Sequence, residues 1–376
     1  YWIWHAKLIG AFAAFFINAF LMSFTFLLFH RARRYFRGSI LIKYCLFGSL
    51  WLCMEYLHLN WEFAWPWLTL GNVFASFPNH VPWYSFTGIL GGSLWVLTVN
   101  YVVFLSLIRK GVERSVSRKK GVVIYLLFRL KWIFVFILTP YIFTYYITKS
   151  SDLMSNDIDG MIEVVIVQPN IDPYQDKFER DAQEQLDDFI LLARNNLTSN
   201  TQLLVGPETM IQEVMWEGKI EGSTSIRKLQ SLQDDFPNLN ILVGASTCQF
   251  LGNNRGSSSR RIKNTDNWYN MYNSAIFLEK DSTISIYHKR KLVPGVEQIP
   301  YSSILSILGD LTVELGGVSG SLASDNTLFS FQMDDSIDIT PLICYEIIFP
   351  GEILSLIHIS EPTRRTPISY AVFCLK

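Results

Sequence analysis

The sequence predicts a multi-pass α-helical membrane domain followed by an α/β domain. Three observations carry that reading. The 376 residues are 49% hydrophobic and only 17% charged, against about 25% charged in ordinary soluble domains. The charge is also split. Residues 1–150 hold 15 Lys/Arg against 3 Asp/Glu, a net of +12, while the remainder holds 17 against 30, a net of −13. Nine of the eleven Trp lie in the same first 150 residues. One half is built for lipid and the other for water. A single soluble globule, a disordered chain, a collagen-like repeat and a disulfide scaffold are excluded by the same figures.

A bilayer-crossing helix needs about 20 mostly apolar residues. Residues 8–29 contain no charge and end at Arg31, Arg33, Arg34 and Arg37. Residues 40–59 form a second span, with Lys43 near one end and Glu55 near the other. The third is 81–108, followed by Arg109, Lys110, Arg114, Arg118, Lys119 and Lys120. The fourth is 121–148, whose Arg129 and Lys131 can snorkel to the interface. Loops 30–37 and 109–120 are therefore expected in the cytoplasm, and loop 60–80, with Glu62 and no Lys or Arg, on the other side. Four spans then put everything beyond about 150 outside the cytoplasm. The chain starts at Tyr1 rather than Met and carries no recognisable signal peptide, so a preceding segment is expected. The run Trp61-Glu62-Phe63-Ala64-Trp65-Pro66-Trp67-Leu68 reads either as an interfacial aromatic belt or as a re-entrant segment shaping a lipid-facing entrance. Glu55, costly in lipid, should face protein or water.

From residue 160 short β-branched runs alternate with amphipathic stretches. Residues 164–167, 203–205, 241–243 and 341–344 read as strands, 274–278 and 284–287 as a hairpin, and 176–195 as a helix. Such alternation predicts layered α/β architecture over 160–354. Residues 252–266 read as an exposed loop whose basic residues lack interleaved aromatics, so nucleic acid is not an expected partner.

Three segments carry candidate chemistry, each with an ordinary alternative. Gly206-Pro207-Glu208-Thr209 puts a carboxylate at a strand end, suited to a general base or simply to capping a turn. Tyr287-His288-Lys289-Arg290-Lys291-Leu292-Val293-Pro294-Gly295-Val296-Glu297 is a candidate site or a solvated basic turn. Leu342-Ile343-Cys344-Tyr345-Glu346 holds a thiol that is a nucleophile if a base or cation adjoins it, and otherwise a small buried hydrophobe.

Glu, Lys and Cys in that order, each at or just after a strand, resemble the nitrilase (carbon–nitrogen hydrolase) superfamily. Preceding membrane spans narrow the resemblance to its apolipoprotein N-acyltransferase family. Trp65-Pro66-Trp67-Leu68-Thr69-Leu70-Gly71-Asn72, Trp83-Tyr84-Ser85-Phe86-Thr87-Gly88, Gly91-Gly92-Ser93-Leu94-Trp95 and Val167-Gln168-Pro169-Asn170-Ile171 are similar to that family too. The resemblance implies an αββα nitrilase-like sandwich with Glu208 as general base, Lys289 as catalytic lysine and Cys344 as nucleophile. Lys289 rather than Lys291 fits the Tyr-x-Lys-x-x-Leu-Val-Pro register. Glu297, Tyr345 and Glu346 match supporting positions, and Phe178 stands where the family often has Trp. The implied reaction moves an acyl chain from a phospholipid donor, through a thioester, to the N-terminal amine of a diacylated lipoprotein acceptor. A bacterial inner-membrane location, with the catalytic domain periplasmic, goes with it. No metal and no cofactor are expected. A membrane-tethered amidase and a non-catalytic scaffold are the alternatives. Residues 355–376, with Arg364-Arg365 between Pro362 and Pro367, resemble adapter-derived sequence and are expected to form a non-native tail.

Overall fold

The computed structural model describes residues 8–36, 38–112, 119–152, 162–172, 180–256, 258–301, 321–327, 329–334, 337–353 and 372–375. They fall into two compact units, Tyr1–Asp157 and Ile158–Lys376.

The first unit contains α1 (Leu8–Ala32), α2 (Ile40–Leu59), α3 (Tyr84–Val112) and α4 (Lys119–Asp152). Ala14–Ala32, Ile40–Leu59 and Tyr84–Leu105 are long and apolar enough to cross a bilayer, whereas the apolar stretch of α4, Ile133–Lys149, is shorter. Phe15, Phe16 and Phe20 of α1 stand exposed, as side chains facing lipid must when helices satisfy their own backbone. Phe26 and Phe29 pack their rings on Phe47 of α2, with centroids 5.3 and 5.2 Å apart. Tyr44 of α2 stacks at 4.2 Å on Tyr101 of α3. Gly88 interrupts the first turn of α3 at φ 62, a backbone conformation natural only to glycine. Between α2 and α3 the aromatic loop folds as short 3-10 turns, Pro66–Leu68, Leu70–Phe74 and Pro78–His80. Gly71 ties it to α3 by donating to Ser93 Oγ (2.9 Å) and accepting from Tyr84 Oη (2.7 Å). Glu55 is buried in protein, as its charge demands.

The second unit is built on two sheets. The larger takes β1 (Glu163–Ile166), β2 (Thr201–Val205), β4 (Asn240–Gly252), β6 (Trp268–Leu278) and β5 (Arg260–Arg261) in that spatial order. β3 (Ile211–Trp216) also pairs with β4, and β7 (Ile284–His288) with β6. β8 (Phe331–Asp334), β9 (Ile337–Ile343) and β10 (Val372–Leu375) form the smaller sheet. Residues of period two divide the large sheet between two cores. Leu204, Ile241, Val243 and Ile276 meet Leu186 and Phe189 of α5 (Ala182–Arg194) and Leu229 and Leu232 of α6 (Thr224–Asp235). Their neighbours Leu203, Val205, Leu242 and Phe277 meet Phe331, Ile339 and Ile343 of the small sheet. The described layers are thus helix, sheet, sheet. Asp181 caps α5 by accepting from Gln183 and Glu184 N–H, and Ser223 caps α6 likewise. Within 355–376, where a non-native tail is expected, Val372–Leu375 runs parallel to β9 from Thr340 to Ile343.

Candidate active site

Each candidate residue leaves the end of a strand. Glu208 follows β2 in a turn pinned to β4, where Gly206 N donates to Leu242 O (2.8 Å) and Gly244 N to Pro207 O (3.1 Å). A Cβ on Gly244 would lie 2.6 Å from Thr209 N and 2.7 Å from Glu208 Cα, so only glycine allows this approach. Lys289 follows β7 and prolongs its ladder, its N–H donating to Asn273 O of β6 (2.8 Å). Cys344 follows β9 at φ 49, the left-handed region that lifts a side chain out of strand alternation at some cost in strain.

These three side chains converge although 81 and 55 residues separate them in turn. Lys289 Nζ donates to Glu208 Oε1 at 3.2 Å and to Glu297 Oε1 at 2.8 Å. The Cys344 thiol is near enough to the Glu208 carboxylate for that charge to push it up. Glu297 Oε2 accepts from Val293 N (2.8 Å), closing the turn that returns the carboxylate to the lysine. Lys289 is 1% exposed. Burial alone pulls its ammonium down, but Glu297 and Glu208 outweigh that and hold it above the usual lysine range. Burial pushes the Cys344 thiol up to about 12, the Glu208 charge adding and the Lys289 charge opposing. The resting arrangement is a neutral thiol beside a carboxylate beside an ammonium. Chemically, it can pass the thiol proton to Glu208 as sulfur attacks an electrophile.

The supporting positions separate. Glu346 is buried, and its Oε1 accepts from Tyr287 Oη (2.8 Å) and Arg290 N (2.7 Å) while its Oε2 accepts from Ile343 N (2.7 Å). It bolts the strand end carrying Cys344 to the segment carrying Lys289. Tyr345 is buried with its ring edge-on to Phe349, centroids 5.1 Å apart. Phe178 lies outside the described residues.

Sequence reasoning missed Asn273. Its Nδ2 donates to Glu208 Oε1 (2.7 Å) and Glu297 Oε1 (3.0 Å). The available signal was a polar Asn273-Ser274 step running into the apolar stretch 275–278 of the same strand, since buried polar groups need partners. His288 was missed too. It stacks on Tyr272 at 3.8 Å and bonds Glu217 Oε1 through Nε2 at 2.8 Å. Arg290 pairs with Glu352 nearby.

A two-sheet α/β unit with this Glu, Lys and Cys grouping has the make-up of a carbon–nitrogen hydrolase, and the carbon–nitrogen hydrolase model matches residues 163–357. The chain belongs to that family. Residues 1–102 match the apolipoprotein N-acyltransferase N-terminal domain, and the two matches in tandem place the chain in that branch of the family. An apolipoprotein N-acyltransferase of Chlorobaculum tepidum is 25% identical over 95% of this chain and 64% of its own length. One from Thermotoga maritima is 24% identical over 83% of the chain and 50% of its own length. A third, from Rhizobium rhizogenes, is 41% identical over 22% of the chain and 15% of its own length. The chain therefore spans less than two thirds of the length of these relatives. Its apolar helices and this kinship make it a membrane protein.

Proposed function

We propose that the chain transfers an acyl chain from a phospholipid, through a thioester on Cys344, to the N-terminal amine of a diacylglyceryl-cysteine lipoprotein. The observation that carries the reading is Lys289 joining Glu208 to Glu297, with Glu346 tying the strand end that bears Cys344 to the same segment.

In the first step sulfur attacks the ester carbonyl carbon while Glu208 takes the thiol proton. Lys289 spends two of its three N–H donors on Glu208 and Glu297, and the third, with the Tyr345 backbone N–H, holds the tetrahedral oxyanion. Collapse breaks the ester C–O bond, Glu208 returns the proton to the departing alkoxide, and lysophospholipid leaves. The acceptor amine then attacks the thioester, Glu208 takes its proton, and the C–S bond breaks to give an amide and the restored thiol. Glu297 keeps Lys289 in register, and Glu346 positions Cys344. Both substrates are lipids, which gives the membrane unit its purpose, with four spans and the catalytic unit on the periplasmic face of a bacterial inner membrane.

The test is incubation of the chain, in detergent or bilayer, with a phospholipid labelled in its acyl chain. A hydroxylamine-sensitive label on Cys344 that a diacylated lipopeptide discharges is the expected result. A label retained by Cys344→Ser excludes the thioester.

A further inference from the structure

The helical unit holds a second polar cluster that shares no residue with the candidate active site. Asn18 and Met22 of α1, Met54, Glu55 and His58 of α2, and Thr69 beyond it help to line a small cavity. Glu55 is 3% exposed. Its Oε1 accepts from Trp51 Nε1 and from Leu70 N, both at 2.9 Å. Its Oε2 is buried and has no hydrogen-bond partner among the described residues. Two neutral N–H donors do not neutralise a carboxylate, and among the described residues no Lys or Arg lines the cavity. Nor does His58 supply the charge. Trp61 Nε1, which can only donate, lies 2.8 Å from His58 Nδ1, so that nitrogen is an acceptor. The ring proton therefore sits on Nε2 and goes to Asn18 Oδ1 at 2.9 Å. The imidazole is neutral in this arrangement.

We infer that this cavity binds a single primary ammonium group, with Glu55 as its counter-ion. A charge at this depth is retained only with a partner. A hard metal ion asks for about six or more oxygens, which Asn18, Thr69 and one unpartnered carboxylate oxygen among methionines and leucines do not offer. An ammonium needs only a few acceptors and brings a carbon stem that suits the apolar side. A quaternary ammonium has no N–H to give Oε2 and is excluded. The ammonium can come from a free amine or from an aminophospholipid headgroup, since the cavity lies where α2 runs into the tryptophan-rich loop, the composition of a membrane interface. This inference does not depend on the acyl-transfer reading.

The experiment places the full chain in nanodiscs of phosphatidylglycerol and follows thermal unfolding by tryptophan fluorescence. Ethanolamine or choline is added in solution, or phosphatidylethanolamine or phosphatidylcholine in the bilayer. The site predicts a rise of about 2–4 °C with the primary amines and none with their methylated counterparts. Glu55→Gln abolishes that rise while melting no lower than the wild type in phosphatidylglycerol alone. A rise with the lipid alone assigns a headgroup, and a rise with both assigns a site open to solution. Equal responses to ethanolamine and choline overturn the inference, as does a rise that survives Glu55→Gln. No response to any amine overturns it too. The wild-type comparison of ethanolamine with choline decides the matter even where the variant does not assemble.

Discussion

Lys289 and Asn273 donate to the same pair of oxygens, Glu208 Oε1 and Glu297 Oε1. One donor is charged and the other neutral, so the spacing of the two carboxylates does not rest on the ammonium alone. If Lys289 shifts a proton toward an oxyanion, Asn273 still holds Glu208 facing the thiol. Asn273→Leu should therefore lower kcat/KM for acyl transfer by roughly 10- to 100-fold, the worth of hydrogen bonds to charged groups. Asn273→Asp, which sets a third carboxylate against the first two, should be worse. Wild-type activity in the Asp variant would remove Asn273 from the machinery.

The raised thiol makes a counterintuitive prediction. Burial, then the Glu208 charge, hold Cys344 up to about 12, so the free protein should react slowly with iodoacetamide at pH 8. Glu208→Gln removes a charge that opposes the thiolate, and labelling should quicken about tenfold for each unit the thiol falls. Acyl transfer should fall at the same time. Slower labelling in the variant would contradict the assignment. The raised value also means that this thiol stabilises the fold below about pH 8.5 and loses that contribution as pH climbs toward the folded value.

Lys289→Met leaves two largely buried carboxylates without their cation and should destabilise the second unit by about 3–5 kcal/mol. The folded-state ammonium titrates above the ordinary lysine value. Its contribution is complete below about pH 10.4 and disappears as pH rises through the folded value. The difference in melting temperature between wild type and variant should hence shrink only in strong alkali. A difference that shrinks between pH 7 and 9 would point to another group.

Gly244→Ala tests the approach of β4 to the Glu208 turn. Overpacking of this kind costs about 1–3 kcal/mol, and here it must displace Glu208 Cα or Thr209 N. Transfer should fall sharply while circular dichroism keeps the sheet signal. Unchanged transfer would mean that the turn has slack.

The apolar runs 203–205 and 241–243 were legible because a polar residue, Gln202 or Asn240, precedes each, and both are strands here, the second the start of a much longer one. β3 was not. Gln212 and Glu213 break its apolar run, and it pairs with the far half of β4, a partner no local pattern reveals. Helix α6 hid behind polar residues, although Ile226, Leu229 and Leu232 keep a three-residue spacing on its buried side. In the candidate site, Glu208, Lys289 and Cys344 were readable from strand ends and motif register. Asn273 was not, because a side-chain amide has no chemistry of its own until the fold sets two carboxylates before it. Glu346 illustrates the reverse. Its neighbour Cys344 marked it as a site residue, yet its carboxylate turns inward to Tyr287, Arg290 and Ile343.

Cys344 is mounted on the small sheet, whereas Glu208, Asn273 and Lys289 are mounted on the large one. The gap between sulfur and carboxylate is thus measured out by the layer between the sheets, where Phe277 stacks on Phe331 at 5.0 Å. The two sheets work as the jaws of a caliper, and that aromatic pair is the shim. Because interiors are packed to crystal-like density, even a single methylene gained or lost there is felt. Selection on turnover should therefore act on greasy residues that no substrate ever touches, and catalytic tuning in this chain can proceed by changing the thickness of its own filling.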